Sequence, residues 1–352
     1  MKTISIHASK SYDIHIGAGI LKDLGPWAAA LGKAGSVALV SDDNVFPLYG
    51  ETVKKSLEEA GLKVFCFVFP HGEQAKCLQV YGQLLEFLDE SRLTRSDLVC
   101  ALGGGVTGDL AGFAAATYLR GIRYIQVPTS LLAMVDSSVG GKTAIDLAGS
   151  KNQVGAFWQP SLVVCDTEVL ATLPKEQYIC GCAEIVKYGV LGSRELFDSV
   201  AKTPVKDQAE AIVAACIEMK KALVEEDEFD RGERMKLNLG HTLGHAVEAL
   251  SDFKLLHGQS VAIGMAAIMR IAIAQGICPK EAYDELLQVY EAYELPWQVP
   301  NTADEMADLL LSDKKRSADT LKVVLPEGIG SCRIGSVPTS ELKAWMALGG
   351  IR

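Results

Sequence analysis

The sequence has no excess of positive charge. Its 34 Lys and Arg stand against 44 Asp and Glu, a net charge of −10. Nucleic-acid surfaces are basic, so no nucleic-acid partner is expected. A small anionic substrate stays open, because a local cluster of Lys and Arg can oppose the global sign. None of the nine cysteines forms a C-x-x-C pair, and Cys66, Cys100 and Cys165 sit inside apolar runs. These thiols read as buried and reduced in a cytoplasmic protein. No uncharged run is long enough to cross a bilayer, since Arg270 interrupts 261–274, and no membrane partner is expected. The first seventeen residues alternate apolar and polar with no long apolar centre, so no signal peptide is expected.

Histidine is scarce too, six in all, yet His241, His245 and His257 fall within 238–257. His241 and His245 are four apart, which on a helix sets both rings on one face, about 6 Å apart at Cβ. One rigid segment then offers two nitrogens to a divalent cation; the alternative is a pair of surface or satisfied core histidines. His257 heads an apolar run of its own and can turn back to the same point. Gly240 and Gly244 each cost a helix about 1 kcal/mol against alanine, a cost accepted where something approaches the backbone closely.

The 352 residues are enough for about two domains. Residues 3–17 have period two and read as edge strands. Short apolar runs at 37–40, 64–69, 98–102, 123–127 and 162–165 read as strands, with helices at 47–60, 77–90 and 110–117. This alternation predicts an α/β, doubly wound, Rossmann-like parallel sheet. Ligands bind such sheets at the carboxyl ends of the strands. Asp42, Gly72-Glu73, the stretch 103–109 and Thr129-Ser130 all lie at such ends. After about Pro174, helical periodicity continues to residue 312, with one late strand at 322–325. The expected domains are therefore 1–174, α/β, and 175–352, mainly α-helical.

Gly103-Gly104-Gly105, between a buried strand and a helix, is a phosphate-cradle candidate or a tight structural turn. Asp42 is placed to bind a ribose hydroxyl or to cap the next helix. Lys142 follows a second glycine pair, and Lys151-Asn152 comes nine residues later. Glu184 and Lys187 share a face inside an apolar helix, either a simple ion pair or functional groups. Lys220, Arg234 and Asn238 lead into the histidine window, and the acidic run 225–233 between them reads as a solvated turn.

GGGVTGD at 103–109, VDSSVGGKT at 135–143, Lys151-Asn152, EIVKY at 184–188, NLGHTLGH at 238–245 and His257-Gly258 together resemble the 3-dehydroquinate synthase family. Order and spacing agree across nearly the whole chain. The resemblance implies a dinucleotide-binding domain followed by a helical metal- and substrate-binding domain. It implies a metal on Glu184, His241 and His257, with His245 turned to the substrate instead. Two imidazoles and a carboxylate suit zinc and also cobalt. NAD would be held by Asp42, Glu73, Lys76, Gly104, Gly105, Asp109, Thr129, Ser130 and Thr172, with Lys151 near both ligands. Substrate contacts would fall to Asp136, Lys142, Asn152, Lys187, Lys220, Arg234, Asn238 and His245, and to one lysine of 313–315, taken as Lys315. Arg120 would reach the phosphate of a neighbouring subunit's substrate, which implies a homodimer.

The implied reaction turns the sugar phosphate 3-deoxy-D-arabino-heptulosonate 7-phosphate into 3-dehydroquinate and phosphate. It runs through transient NAD-dependent oxidation, elimination, re-reduction and aldol closure. Departures from the family pattern are small: Ser130 stands for a second Thr, and Cys180-Gly-Cys182 precedes Glu184. Other readings are a different sugar-phosphate cyclase, a metal-dependent polyol dehydrogenase of similar fold, or a non-catalytic nucleotide-binding protein. The last would not need Glu184, His241, His257 and Lys187 together.

Overall fold

The computed structural model describes residues 1–148, 150–252, 254–314 and 319–351, with the side chains of 312–314 left aside. It divides into two compact units, Met1–Pro174 with Val213–Phe229, and Lys175–Ile212 with Asp230–Arg352. That differs from the expected single cut at 174. Residues 213–229 return to the first unit, where Lys220 Nζ lies 2.9 Å from Asp136 Oδ1 and 2.7 Å from the Asp136 carbonyl. The run 225–233 is not simply a solvated turn either. Glu225 accepts the His7 N–H, and Glu228 accepts from Ser9 and Gln159.

In the first unit the strands are β1 (Lys2–His7), β2 (Ser11–Gly17), β3 (Ser36–Asp42), β4 (Lys63–Phe69), β5 (Leu98–Gly103), β6 (Arg123–Pro128), β7 (Lys142–Leu147), β8 (Ser150–Phe157) and β9 (Leu162–Asp166). Seven form one sheet in the order β1-β2-β9-β6-β5-β3-β4. Only β1 pairs antiparallel; β2 lies inside the sheet, not at its edge as expected. Every residue of β5 and β9 is buried, as strands covered on both faces require. Their continuous apolar runs were legible for that reason.

The helices of this unit are α1 (Leu24–Ala30), α2 (Glu51–Glu59), α3 (Leu78–Glu90) and α4 (Gly105–Thr117), with residues 213–226 of a helix that begins in the second unit. Leu84 and Leu88 of α3 join Leu110, Ala111 and Ala114 of α4 over Val40, Val99 and Ala101 of the sheet. The chain leaves β3 for β4 on one side and returns to β5 on the other. This reversal puts the topological switch point between β3 and β5, where doubly wound sheets hold their ligands. β7 and β8 form a separate antiparallel hairpin on the flank of α4, which sequence reasoning did not find. No residue of β8 is fully buried, so it carries no apolar run.

The second unit contains α5 (Lys175–Gly192), α6 (Arg194–Lys202), the start of α7 (Ala209–Glu226), α8 (His241–Leu250), α9 (His257–Ala274), α10 (Lys280–Ala292), α11 (Ala303–Lys314) and α12 (Leu342–Leu348). A hairpin of β10 (Thr320–Gly328) and β11 (Ser331–Pro338) accompanies them; only residues 322–325 of β10 were expected. α9 is long and apolar enough to cross a bilayer, but 72% of that window is buried inside the protein, so it serves as a core helix.

Candidate metal centre and cofactor loops

Three helices of the second unit meet at one point. Glu184 lies on α5, His241 opens α8 and His257 opens α9. Glycine is what lets their backbones approach. A Cβ on Gly264 of α9 would fall 2.0 Å from the Gly240 carbonyl oxygen, and one on Gly244 would fall 2.7 Å from that of Ser260. A Cβ on Gly258 would fall 2.4 Å from the Cα of Cys180, one turn before Glu184. Gly240 also has φ +77°, the left-handed turn that starts α8. The helix cost of Gly240 and Gly244 thus answers to a packed neighbouring helix, not to a ligand.

Glu184 Oε1 stands 3.3 Å from His257 Nε2 and 3.6 Å from His241 Nε2. Its other oxygen is 2.6 Å from Lys187 Nζ, and both side chains are 1% exposed. Nitrogens of His241, His245 and His257 also lie within 4.8 Å of one another. The structure therefore brings together the i, i+4 pair and the set drawn from the resemblance.

His241 Nδ1 meets the Leu239 carbonyl at 3.0 Å, so that nitrogen donates and Nε2 is left with a lone pair. Burial drives the His241 pKa down to about 3 against the pull of Glu184, which keeps the ring neutral and fit to ligate. His257 goes the other way. Burial would lower it, but the carboxylates of Glu184 and Glu248 outweigh burial and raise it to about 9. A buried carboxylate thus collects positive charge at the point where two imidazole nitrogens turn. Two nitrogens and one carboxylate oxygen, backed by a carbonyl and a second carboxylate, fit a zinc-type cation.

In the first unit the expected cofactor residues gather at the carboxyl ends of β3 to β6. Asp42 Oδ1 accepts the N–H groups of Asn44 and Val45 in the turn after β3, and its Oδ2 accepts from Thr107 Oγ1 at 3.3 Å. Gly103, Gly105 and Gly108 stand at the G-x-G-x-x-G spacing of dinucleotide loops. A Cβ on Gly103 would strike Thr107 at 2.3 Å, and one on Gly108 would strike Gln126 at 2.6 Å. Among the described residues, the nearest atoms to such a Cβ on Gly104 and Gly105 are the hydroxyls of Ser130 and Ser137, at 3.5 and 3.2 Å. That leaves a cradle of backbone and small polar groups at the N-terminus of α4, which suits a pyrophosphate. The Thr129 N–H bonds the Gly103 carbonyl at 2.9 Å.

Lys76 is 4% exposed and lies 2.6 Å from Asp109 Oδ2 and 3.7 Å from Glu73 Oε1, and it also bonds the Asn152 side chain. Lys151 reaches Glu73 at 3.6 Å. Burial raises the Asp109 pKa despite Lys76, and the carboxylates raise that of Lys76 despite burial. Thr172 Oγ1 contacts the Tyr49 hydroxyl at 2.5 Å, just beyond β3.

The residues expected to contact substrate fall in both units. Asp136, Lys142, Asn152 and Lys220 belong to the first; Lys187, Arg234, Asn238 and His245 belong to the second. Arg234 is 1% exposed, while His245 and Asn238 are exposed. Arg120 (φ +66°) is exposed in the turn after α4, at the opposite end of the sheet from the glycine loop. Lys315 lies outside the described residues.

The 3-dehydroquinate synthase N-terminal family profile matches residues 66–180, and the C-terminal profile matches 181–316. A 3-dehydroquinate synthase of Streptococcus gordonii is 42% identical over 342 residues, 95% of this chain and 96% of the relative. The chain belongs to the 3-dehydroquinate synthase family. A second 3-dehydroquinate synthase, from Clostridium botulinum, is 44% identical over 331 residues, 91% of this chain and 93% of the relative. Among solved structures, a 2-epi-5-epi-valiolone synthase of Streptomyces hygroscopicus with NAD+ and Zn2+ bound superposes with a TM-score of 0.88 at 27% identity, over 99% of each chain. A 2-deoxy-scyllo-inosose synthase complexed with carbaglucose-6-phosphate, NAD+ and Co2+ gives 0.89 at 24% identity, over 98% of this chain and 99% of that one, which shows the shared fold alone.

Sequence reasoning passed over three neighbours of the site. Asp146 accepts the Asn152 N–H at 2.7 Å. The Cys180 thiol faces the backbone N–H groups of Gly258 and Gln259 at the start of α9. Glu248 stands 3.5 Å behind His257. Only Glu248 had a readable signal, its i+7 spacing from His241.

Proposed function

We propose that this chain converts 3-deoxy-D-arabino-heptulosonate 7-phosphate into 3-dehydroquinate and phosphate, with NAD and a divalent cation, zinc or cobalt. The observation that carries the reading is the meeting of His241 and His257 at the buried carboxylate of Glu184. A protein that merely binds a nucleotide has no use for it. Membership of the family over nearly the full length supports the same reading. Glu184, His241 and His257 hold the cation. Gly104, Gly105, Thr129 and Ser130 take the pyrophosphate of NAD, and Asp42 takes a ribose hydroxyl. Asp109, Glu73, Lys76, Lys151 and Thr172 complete that binding set.

When bound, NAD supplies a reversible hydride acceptor, and the cation acidifies a coordinated hydroxyl, as zinc lowers water from about 15.7 to about 7. The remaining work belongs to the chain. Lys142, Lys187, Lys220 and Arg234 neutralise carboxylate and phosphate through charge-assisted hydrogen bonds. Two of these are pre-aimed: Lys220 is held by Asp136, and Lys187 by Glu184. Asn152, Asn238, His245 and Lys315 hold the hydroxyl-bearing chain, so that its ends meet for ring closure, the step that depends most on orientation. Arg120 sits at the end of the sheet remote from the glycine loop of its own chain. That placement supports its action on the substrate phosphate of a second copy, in a cytoplasmic homodimer.

The test is phosphate release from the heptulosonate phosphate by the NAD-loaded protein. Phosphate is expected without lasting NADH absorbance, with loss of activity on chelation and recovery with zinc or cobalt. Accumulating NADH would identify a dehydrogenase instead, and a metal-loaded protein that releases no phosphate would sink the assignment.

A further inference from the structure

Glu248 has no role in the scheme above, yet its side chain is 4% exposed and its Oε2 lies 3.5 Å from His257 Nδ1. It stands on α8 seven residues after His241, with His245 between them, so the three share one face at i, i+4 and i+7. α8 therefore carries one ligand candidate in its first turn. Two turns on, it carries the carboxylate behind another ligand candidate, which belongs to α9. The far nitrogen of His257, Nε2, faces Glu184 at 3.3 Å. An ionised carboxylate can only accept, so Glu248 keeps a hydrogen on Nδ1, and the hydrogen that Nε2 turns toward Glu184 is the one a bound cation would replace. His241 receives the same treatment from the Leu239 carbonyl at 3.0 Å. That carbonyl is neutral and fixed in the backbone, whereas Glu248 adds charge and can be removed by one substitution.

We propose that Glu248 is a positioning residue of the metal centre. It sets the tautomer and ring orientation of His257 and increases the electron density that Nε2 offers. The inference rests on the reading of Glu184, His241 and His257 as metal ligands, and it adds a residue that this reading does not contain.

The experiment measures zinc affinity of the full chain by competition with a chromophoric chelator, for wild type, Glu248→Gln, Glu248→Ala and His257→Ala. Glu248→Ala is expected to weaken binding about 10- to 100-fold. Glu248→Gln keeps the shape and one acceptor oxygen, so its loss should be smaller. Circular dichroism and the thermal midpoint of the metal-free protein report folding, and the isosteric Gln variant serves if Ala does not fold. Cobalt-loaded protein gives a second reading: the visible bands should shift in both Glu248 variants, which a purely structural role would not cause. Wild-type zinc affinity with an unchanged cobalt spectrum in a folded Glu248 variant overturns the positioning role. If wild type binds no zinc, or His257→Ala binds it equally well, the metal reading itself fails and takes this inference with it.

Discussion

Gly264→Ala probes whether helix contact, rather than histidine spacing, builds the metal centre. The added Cβ would fall 2.0 Å from the Gly240 carbonyl oxygen and 2.6 Å from the Gly244 nitrogen. It would land on the hydrogen bond between those two groups, 2.8 Å long, that closes the first turn of α8. Ordinary contact begins at 3.4 Å, so α8 and α9 would have to separate by as much as 1.4 Å. Overpacking of this kind costs about 1–3 kcal/mol, and the gain in helix propensity returns up to about 1 kcal/mol. A net loss of up to about 2 kcal/mol should appear in urea unfolding. The effect on metal should be larger. Ligand distances tolerate only about 0.2 Å, and the shift would move His241 away from His257. Zinc affinity should fall on the order of tenfold or more, each tenfold being about 1.4 kcal/mol. Gly82→Ala on α3 is the control, because its Cβ meets nothing within 4 Å; it should stabilise slightly and leave zinc binding alone. If Gly264→Ala bound zinc as tightly as wild type and unfolded at the same urea concentration, the close-packing argument would be wrong.

Lys142→Ala should lose most phosphate-releasing activity while retaining its metal by elemental analysis; unchanged turnover would remove Lys142 from the substrate set. Lys76 tests the electrostatics of the first unit. Burial lowers its pKa, but Asp109 and Glu73 outweigh burial and hold it above the ordinary 10.5. The folded protein therefore binds that proton more tightly than the unfolded chain. The resulting stability is complete below pH 10.5 and drains away as pH rises through the folded value. Lys76→Met should be about 3 kcal/mol less stable at neutral pH and should decline less steeply above pH 10.5; parallel pH profiles would refute this. Native protein should expose few fast-reacting thiols to a disulfide reagent. Only Cys66 and Cys77 are partly exposed, and burial pushes Cys100 and Cys332 up to about 12. Rapid reaction of more than two of the nine would contradict the packing.

Much of the sheet could be read in one dimension because burial on both faces writes itself as unbroken apolar runs, as in β5 and β9. The glycine loop could be read because a missing side chain at the end of such a run has few other uses. β8 and β11 escaped because exposed or half-buried strands containing Gly155 or Gly335 leave no such run. The return of 213–229 to the first unit escaped for a different reason. The apolar face of a helix shows that it packs, not against which core.

Residue order alone determined the class of this protein: the alternation of strand and helix, the glycine-rich turn, and a store of His, Glu and Lys at family spacing. It also placed His241 and His245 on one helical face, since that relation follows from 3.6 residues per turn. Only the tertiary structure decided that Glu184 and His257, on two other helices, reach the same point, and that Glu248 stands behind His257. Those distances are set by how closely α5, α8 and α9 pack at Gly258, Gly244 and Gly264, and backbone-to-backbone approach leaves no periodic mark in a sequence.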